Sequence, residues 1–165
     1  MALLDALLRL NALSTRVLNV LQPLVLLGTR LFVADVFLRS GWLKITTWDS
    51  TLSLFETEYH VPLLPPHVAA VVGTFGELFF PVLLVLGLAG RIGAVGLFCV
   101  NVMAVVSYAD VLLSEGFEAA IGQHYLWGFM LLVLSVYGPG QLSVDHLLTR
   151  VRRASPVTTA PTAAY

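Results

Sequence analysis

The sequence has few charged residues and no excess of positive charge. Of its 165 residues, 12% are charged, whereas an average soluble domain carries roughly 25%. The formal net charge of -1 provides no basic field for a nucleic acid, which we therefore do not expect as a partner. A hydrophobic content of 58% and a mean hydropathy of +0.86 instead indicate a membrane protein in contact with the lipid bilayer.

Cysteine is almost absent as well. The one cysteine, Cys99, excludes an intrachain disulfide and a CxxC redox or zinc site within this chain. None of the four histidines lies deep in an apolar segment, as ligands of a transmembrane haem would. Their spacing also lacks a zinc signature, so we expect neither haem nor metal as a cofactor.

Four apolar segments are long enough to cross a bilayer, which requires about 20 mostly apolar residues. The sequence therefore predicts an all-α protein, a transmembrane four-helix bundle in which neighbouring helices are antiparallel. We expect a membrane domain over residues 18–148, with spans at about 18–43, 68–88, 92–113 and 119–137.

Two flanking segments complete the expected organisation. Residues 1–17 place leucines at helical spacing beside Asp5 and Arg9, which is typical of an amphipathic helix at the membrane surface. A frayed extension is the alternative. Residues 149–165 carry three arginines near their start and continue without apolar periodicity, so the sequence predicts a basic segment followed by a disordered tail.

The arginines outside the spans predict the orientation of the chain. With four crossings, all of them fall on one side, and most of the acidic loop residues fall on the other. Because cytoplasmic loops are enriched in Lys and Arg, we expect both termini to be cytoplasmic. The arginines concerned are Arg9, Arg16, Arg91, Arg150, Arg152 and Arg153.

Glu77 lies near the centre of the second span, where an ionised carboxylate is costly unless it is paired or hydrogen-bonded. Arg30 lies near the centre of the antiparallel first span. The sequence therefore predicts a buried Arg30–Glu77 ion pair, with the guanidinium able to bind the carboxylate bidentately. Such a pair forms either a functional polar pocket or a device for packing and register, and both interpretations stay open.

The first span holds further charges. Lys44 lies on the Arg30 stripe at its outer end, with Gly41 nearby. Asp35 and Arg39 are four residues apart and can pair along the helix. They point away from Arg30, toward either a second interior seam or a second copy of the chain, which would make a homodimer. So many charges on one span lead us to expect that it is largely surrounded by protein.

An ordered set of motifs runs from about Arg30 to Asp145. It comprises RLFVADVFLRSGWLKI, in which an arginine precedes Gly-x-x-Lys, then a Val-Pro pair, GELFFPVLLVLGLAGR and YGPGQLSVD. With these motifs the chain resembles the DoxX family of small four-helix membrane proteins. Phe79, Phe80 and Pro81 depart from the small, glycine-rich residues that relatives carry after the glutamate, and Asp35 and Arg39 are unusual in the first span.

The resemblance implies a plasma-membrane protein, of the bacterial inner-membrane type, associated with a redox system for sulfur compounds, thiols or oxidative stress. It implies a subunit of a quinone-dependent oxidoreductase that is not catalytic alone and whose protein partner carries the redox centre. The residues matching the family pattern are Arg30, Gly41, Lys44, Glu77 and Arg91.

We therefore expect a quinone as the bound cofactor, in a polar pocket at the membrane midplane. The rival hypothesis is a non-redox membrane anchor, an assembly factor, or a carrier of a small solute or metal. Asn101 on the third span is a ligand candidate, with helix–helix hydrogen bonding as its other interpretation. The quinone-binding candidates are Arg30, Lys44, Glu77 and Asn101. The residues expected to form a structural polar network are Asp35, Arg39, Gly41 and Arg91.

Overall fold

The computed structural model describes residues 1–89 and 91–154. These residues form seven α-helices and no strand, which confirms the all-α class. The expected disorder of the tail concerns residues 155–165, which lie outside the described residues. The helices are α1 Ala2–Thr46, α2 Trp48–Thr57, α3 Pro66–Leu86, α4 Ile92–Ser107, α5 Ala109–Leu112, α6 Glu118–Tyr137 and α7 Val144–Ala154.

Three of these helices, α1, α3 and α6, are long and apolar enough to cross a membrane. The apolar helix α4 is shorter, with 16 residues. Such a helix rises about 24 Å, less than the ~30 Å of a hydrocarbon core. The single turn α5 follows α4 directly after Tyr108. The expected spans at 68–88, 92–113 and 119–137 thus correspond to α3, to α4 with α5, and to α6.

The first helix differs most from the expectation. It runs for 45 residues with Pro23 inside it, so the helix continues from the expected surface segment into the expected span. Residues 3–22 are exposed along their whole length, and the first buried residue is Arg30. The N-terminal half of α1 therefore extends beyond the region in which the helices pack against one another.

Helices α1, α3, α4 and α6 contact one another in a ring: α1 with α3, α3 with α4, α4 with α6, and α6 with α1. The buried positions of α1 recur every three or four residues, so one face of that helix packs inward and the opposite face stays exposed. The shared core consists of Val33, Ala34, Phe37, Leu84, Ala94, Leu97, Leu131 and Leu134.

A second, smaller core lies beneath α2. It consists of Phe55 from α2 and of Ala69 and Ala70 from the first turns of α3. Trp48 and Tyr59 pack against this cluster. The short amphipathic helix α2 was not expected. It covers the start of α3 and also contacts α1.

Two close contacts establish how α1 lies along α3. A Cβ atom on Gly41 would lie 3.1 Å from Cβ of Glu77. About three turns earlier along α1, Arg30 Nη2 donates to the carbonyl oxygen of Val85 at 3.1 Å. The two helices are therefore antiparallel, and Arg30 lies level with the end of α3 rather than with its centre.

Candidate functional site

Glu77 pairs with Lys44. The Lys44 ammonium donates to both carboxylate oxygens of Glu77 at 2.6 Å and to Ser40 Oγ at 3.0 Å. The side chains of Lys44 and Glu77 are 19% and 9% exposed. A helical side chain leans toward the N-terminus of its helix, which lets Lys44 reach back from the end of α1 to the middle of α3. The expected Arg30–Glu77 ion pair is therefore wrong.

The physical reason for the error is the length of α1. Centring the first span on residues 18–43 places Arg30 level with Glu77. In the structure only the part of α1 from about Arg30 onward packs inside the ring of helices. The packed region is therefore shifted toward Thr46, and Lys44 replaces Arg30 as the cation at the level of Glu77.

The backbone around this ion pair is tightly packed. Thr51 of α2 is buried, and its hydroxyl donates to the carbonyl oxygen of Lys44 at 3.0 Å. A Cβ atom on Gly41 would lie 2.9 Å from Cγ of Leu78 and 3.1 Å from Cβ of Glu77. A glycine at position 41 therefore allows the close approach of α1 and α3 on which the Lys44–Glu77 pair depends.

A buried hydroxyl group without a partner lies beside the ion pair on α3. Thr74 precedes Glu77 by three residues, so the two side chains are neighbours on the helix surface. Thr74 is 3% exposed, and its Oγ1 has no hydrogen-bond partner among the described residues. Buried hydroxyl groups are normally hydrogen-bonded, so this one stands out. We call Ser40, Lys44, Thr74 and Glu77 the polar centre.

Tyr59, in the connection after α2, extends this polar region toward the end of the ring. Its ring packs edge-on against Phe55 at 4.9 Å and Tyr108 at 5.0 Å between centroids. Burial raises the pKa of the Tyr59 phenol, and the charges of Tyr108, Glu77 and Glu58 raise it further. The phenol therefore stays protonated near neutral pH and keeps its ability to donate a hydrogen bond.

Arg30 forms a separate site at the opposite end of α3. It is 1% exposed. Its Nη1 donates to the carbonyl oxygen of Pro139, and its Nη2 donates to those of Val85 at 3.1 Å and Leu142 at 2.8 Å. The Val85 carbonyl belongs to the last turn of α3, where carbonyl groups lack intrahelical partners. Arg30 therefore joins α1 to the end of α3 and to the α6–α7 connection, and these bonds use both of its terminal nitrogens.

Gly87 makes this junction possible. Its φ is +61°, a left-handed conformation that ends α3 and that glycine adopts readily. A Cβ atom there would lie 2.8 Å from Nη1 of Arg30 and 2.5 Å from Cβ of Ser143. The backbone N–H of Asp145 donates to the Gly87 carbonyl oxygen at 3.2 Å, and its Oδ1 accepts from the Ala89 N–H at 3.1 Å. Two of the sequence motifs thus meet at Arg30.

Asn101 joins α4 to α6. Its Nδ2 donates to the carbonyl oxygen of His124 at 3.0 Å, and its Oδ1 lies 2.9 Å from Nδ1 of the same histidine. Both ends of the amide are therefore used by one residue of the neighbouring helix. The sequence did not indicate His124 as the partner of Asn101, although its position near the start of α6 could have suggested it.

Asp35 and Arg39 lie on the outer face of α1. Arg39 Nε donates to Asp35 Oδ2 at 2.8 Å, and the side chains of Arg39 and Asp35 are 79% and 57% exposed, respectively. They point away from Arg30, as the helical spacing requires. The expectation that the first span is surrounded by protein is wrong for the single chain, because α1 packs on one face only.

The structure therefore brings together Lys44, Glu77 and Gly41 and separates Arg30 and Asn101 from them. Arg91, at the start of α4, lies at the same end as Arg30, where its side chain borders Gly138. Among the residues that the structure describes, no group of three or more His, Cys, Asp or Glu side chains is arranged to hold a metal ion.

Comparison with known proteins identifies a family. The family model described as DoxX matches residues 25–110, which include the polar centre, Arg30 and Arg91. No curated protein and no solved structure gave a match.

Proposed function

The chain belongs to the DoxX family, and we propose that it is a membrane subunit of a quinone-linked redox system that binds the quinone at the polar centre. The system would handle sulfur compounds, thiols or oxidative stress, and a protein partner would carry the redox centre. The observation that carries this proposal is the unpaired, buried Thr74 hydroxyl beside the Lys44–Glu77 ion pair.

The polar centre has the donors that a quinone requires. Quinones present two carbonyl acceptors on an apolar ring, and ligand sites of this kind combine apolar walls with a few polar groups. The three ammonium hydrogens of Lys44 face Ser40 and both oxygens of Glu77. A carbonyl oxygen in the place of the weaker acceptor, Ser40, would leave the ion pair intact, and the Thr74 hydroxyl provides a further donor.

The residues of the polar centre would bind and orient the ligand, and one of them would hold a proton. A bound quinone supplies reversible two-electron, two-proton chemistry, with electrons from the partner. Glu77 holds the Lys44 ammonium in place and is the carboxylate on which a proton can reside. Arg30 is no part of this proposal, because its bonds to three backbone carbonyl oxygens give it a structural task.

The proposed placement in the membrane follows from the helices and the arginines. The chain is a multi-pass membrane protein. We propose that α1, α3, α4 with α5, and α6 cross the plasma membrane as an antiparallel bundle with both termini cytoplasmic. Support comes from the ring of helix contacts and from Arg91, Arg150 and Arg153 at one end of it. The exposed start of α1 would then extend the first span on the cytoplasmic side.

We expect quinone retention to depend on the Thr74 hydroxyl. The test is mass-spectrometric measurement of quinone in gently solubilised, purified protein. Wild type should hold quinone, and Thr74→Val and Glu77→Gln should each lose most of it. Thr74→Val is decisive because removing an unpaired buried hydroxyl should leave stability unchanged or raised. Thr51→Val is the matched control, since its hydroxyl is already satisfied. Quinone retained by Thr74→Val would contradict the proposed site.

A second candidate function, assembly within the membrane, is favoured by Asp35 and Arg39. Charged groups facing hydrocarbon are costly and normally face protein or water. This exposed pair lies on α1 between Arg30, which contacts the end of α3, and Lys44, which contacts its middle. We propose that this face contacts a second copy of the chain, in which each Arg39 can also reach the partner's carboxylate.

Replacing the exposed ion pair of Asp35 and Arg39 by apolar residues should therefore yield a monomer. Light scattering of the protein in mild detergent should give a dimer for wild type and a monomer for the double variant Asp35→Leu/Arg39→Leu. The matched control is Asp5→Leu/Arg9→Leu, which removes the same charges at the same spacing from the exposed start of α1. A monomeric wild type, or a dimer in both variants, would exclude this interface.

A further inference from the structure

A wide cleft with an excess of positive charge opens at the end of the bundle that holds Arg30. Its volume is about 830 Å³, within the range of about 300–1,000 Å³ that small-ligand sites occupy. It lies between the α3–α4 connection, the end of α6 and one face of α7. Arg91, Arg150 and Arg153 line it together with the single carboxylate of Asp145. Asp145 also accepts a backbone hydrogen bond from Ala89. Three guanidinium groups against one carboxylate give the described lining an excess of positive charge.

Helix α7 presents two opposite faces. The residues that line the cleft are His146, Thr149, Arg150 and Arg153, which share one side of the helix because they are spaced by three and four. Leu147 and Leu148 lie on the other side and are 60% and 45% exposed. An amphipathic helix with arginines on its polar face is typical of a segment that lies in a membrane interface.

We infer that this cleft binds the phosphate of an anionic phospholipid headgroup while the leucine face of α7 rests in the adjacent lipid. Guanidinium groups suit phosphate because they donate in a planar fork. The lipid source is favoured over free phosphate by the exposed leucines on the same helix and by the position of α7, which follows the membrane-spanning α6 after one short connection. Arg91 contributes from the α3–α4 connection, so one headgroup would bridge the ends of three helices.

The chain offers a matched set of variants for the test. Arg150→Gln and Arg153→Gln each remove one guanidinium group from the cleft lining. Arg152→Gln removes the same charge from the same helix, but Arg152 does not line the cleft. Arginines 150, 152 and 153 are all exposed, so none of the three substitutions should impair folding, which the melting temperature of each purified variant checks.

The measurement is native mass spectrometry of the full chain titrated with phosphatidylglycerol, with phosphatidylcholine as the zwitterionic comparison. Wild type should retain phosphatidylglycerol preferentially. Arg150→Gln and Arg153→Gln should each weaken its binding about fivefold, and Arg152→Gln should bind as wild type does. Equal losses in all three variants would overturn the inference, since they would indicate diffuse attraction. Equal binding of the two lipids, or displacement of phosphatidylglycerol by inorganic phosphate, would also overturn it.

Discussion

Replacing Arg30 by alanine is expected to cost about 3–5 kcal/mol of folding free energy. The side chain is almost fully buried and donates to the carbonyl oxygens of Val85, Pro139 and Leu142. Its loss leaves three acceptors of two separate chain segments without a donor. The expected result is an unfolding midpoint at a clearly lower fraction of sodium dodecyl sulfate in mixed micelles, followed by tryptophan fluorescence.

Two further variants sharpen this prediction. Arg30→Lys keeps the charge but has one nitrogen in place of a planar fork, so it should recover only part of the loss. Arg16→Ala removes an exposed arginine from the same helix and should change stability by less than about 0.5 kcal/mol. Wild-type stability of Arg30→Ala would show that the three carbonyl groups find other partners and that Arg30 does not hold the junction together.

Removing one member of the Lys44–Glu77 pair is the second prediction with a large effect. Glu77→Ala leaves the partly buried Lys44 ammonium without its counter-ion. Breaking a buried ion pair by removing one partner typically costs about 3–5 kcal/mol. Lys44→Ala should be destabilising for the corresponding reason. Replacing both residues by apolar ones of similar volume removes both charges, and such exchanges are often neutral or stabilising.

A double-mutant cycle measures this coupling. The stabilities of wild type, Lys44→Met, Glu77→Met and Lys44→Met/Glu77→Met are compared in the same micelles. We expect both single variants to be strongly destabilised and the double variant to unfold close to wild type, so that the coupling energy approaches the sum of the two single losses. Additive losses would mean that the two charges do not depend on each other, contrary to the 2.6 Å contacts.

Much of the fold could be predicted because membrane crossing requires long apolar runs. The positions of α3 and α6 follow from such runs, and the outward direction of Asp35 and Arg39 follows from helical spacing alone. The partner of Glu77 could not be predicted in the same way. It depends on where α1 begins to pack, and the apolar residues before Arg30 extend the helix without contributing to the core.

The structural role of Arg30 could not be predicted from the sequence either. Its partners are main-chain carbonyl oxygens, which every residue has, so no pattern of side chains marks Val85, Pro139 or Leu142 as acceptors. Thr74 gave no signal either, because threonine in an apolar helix usually bonds to its own backbone. Only the three-dimensional arrangement distinguishes a satisfied hydroxyl group from an unpaired one.

The most direct test of the account is quinone content and stability measured side by side in the variant Lys44→Met/Glu77→Met. We expect a protein of near wild-type stability that no longer retains quinone, because the ion pair is dispensable for packing and required for the ligand. A stable double variant that still retains quinone would contradict the claim that the polar centre is the binding site.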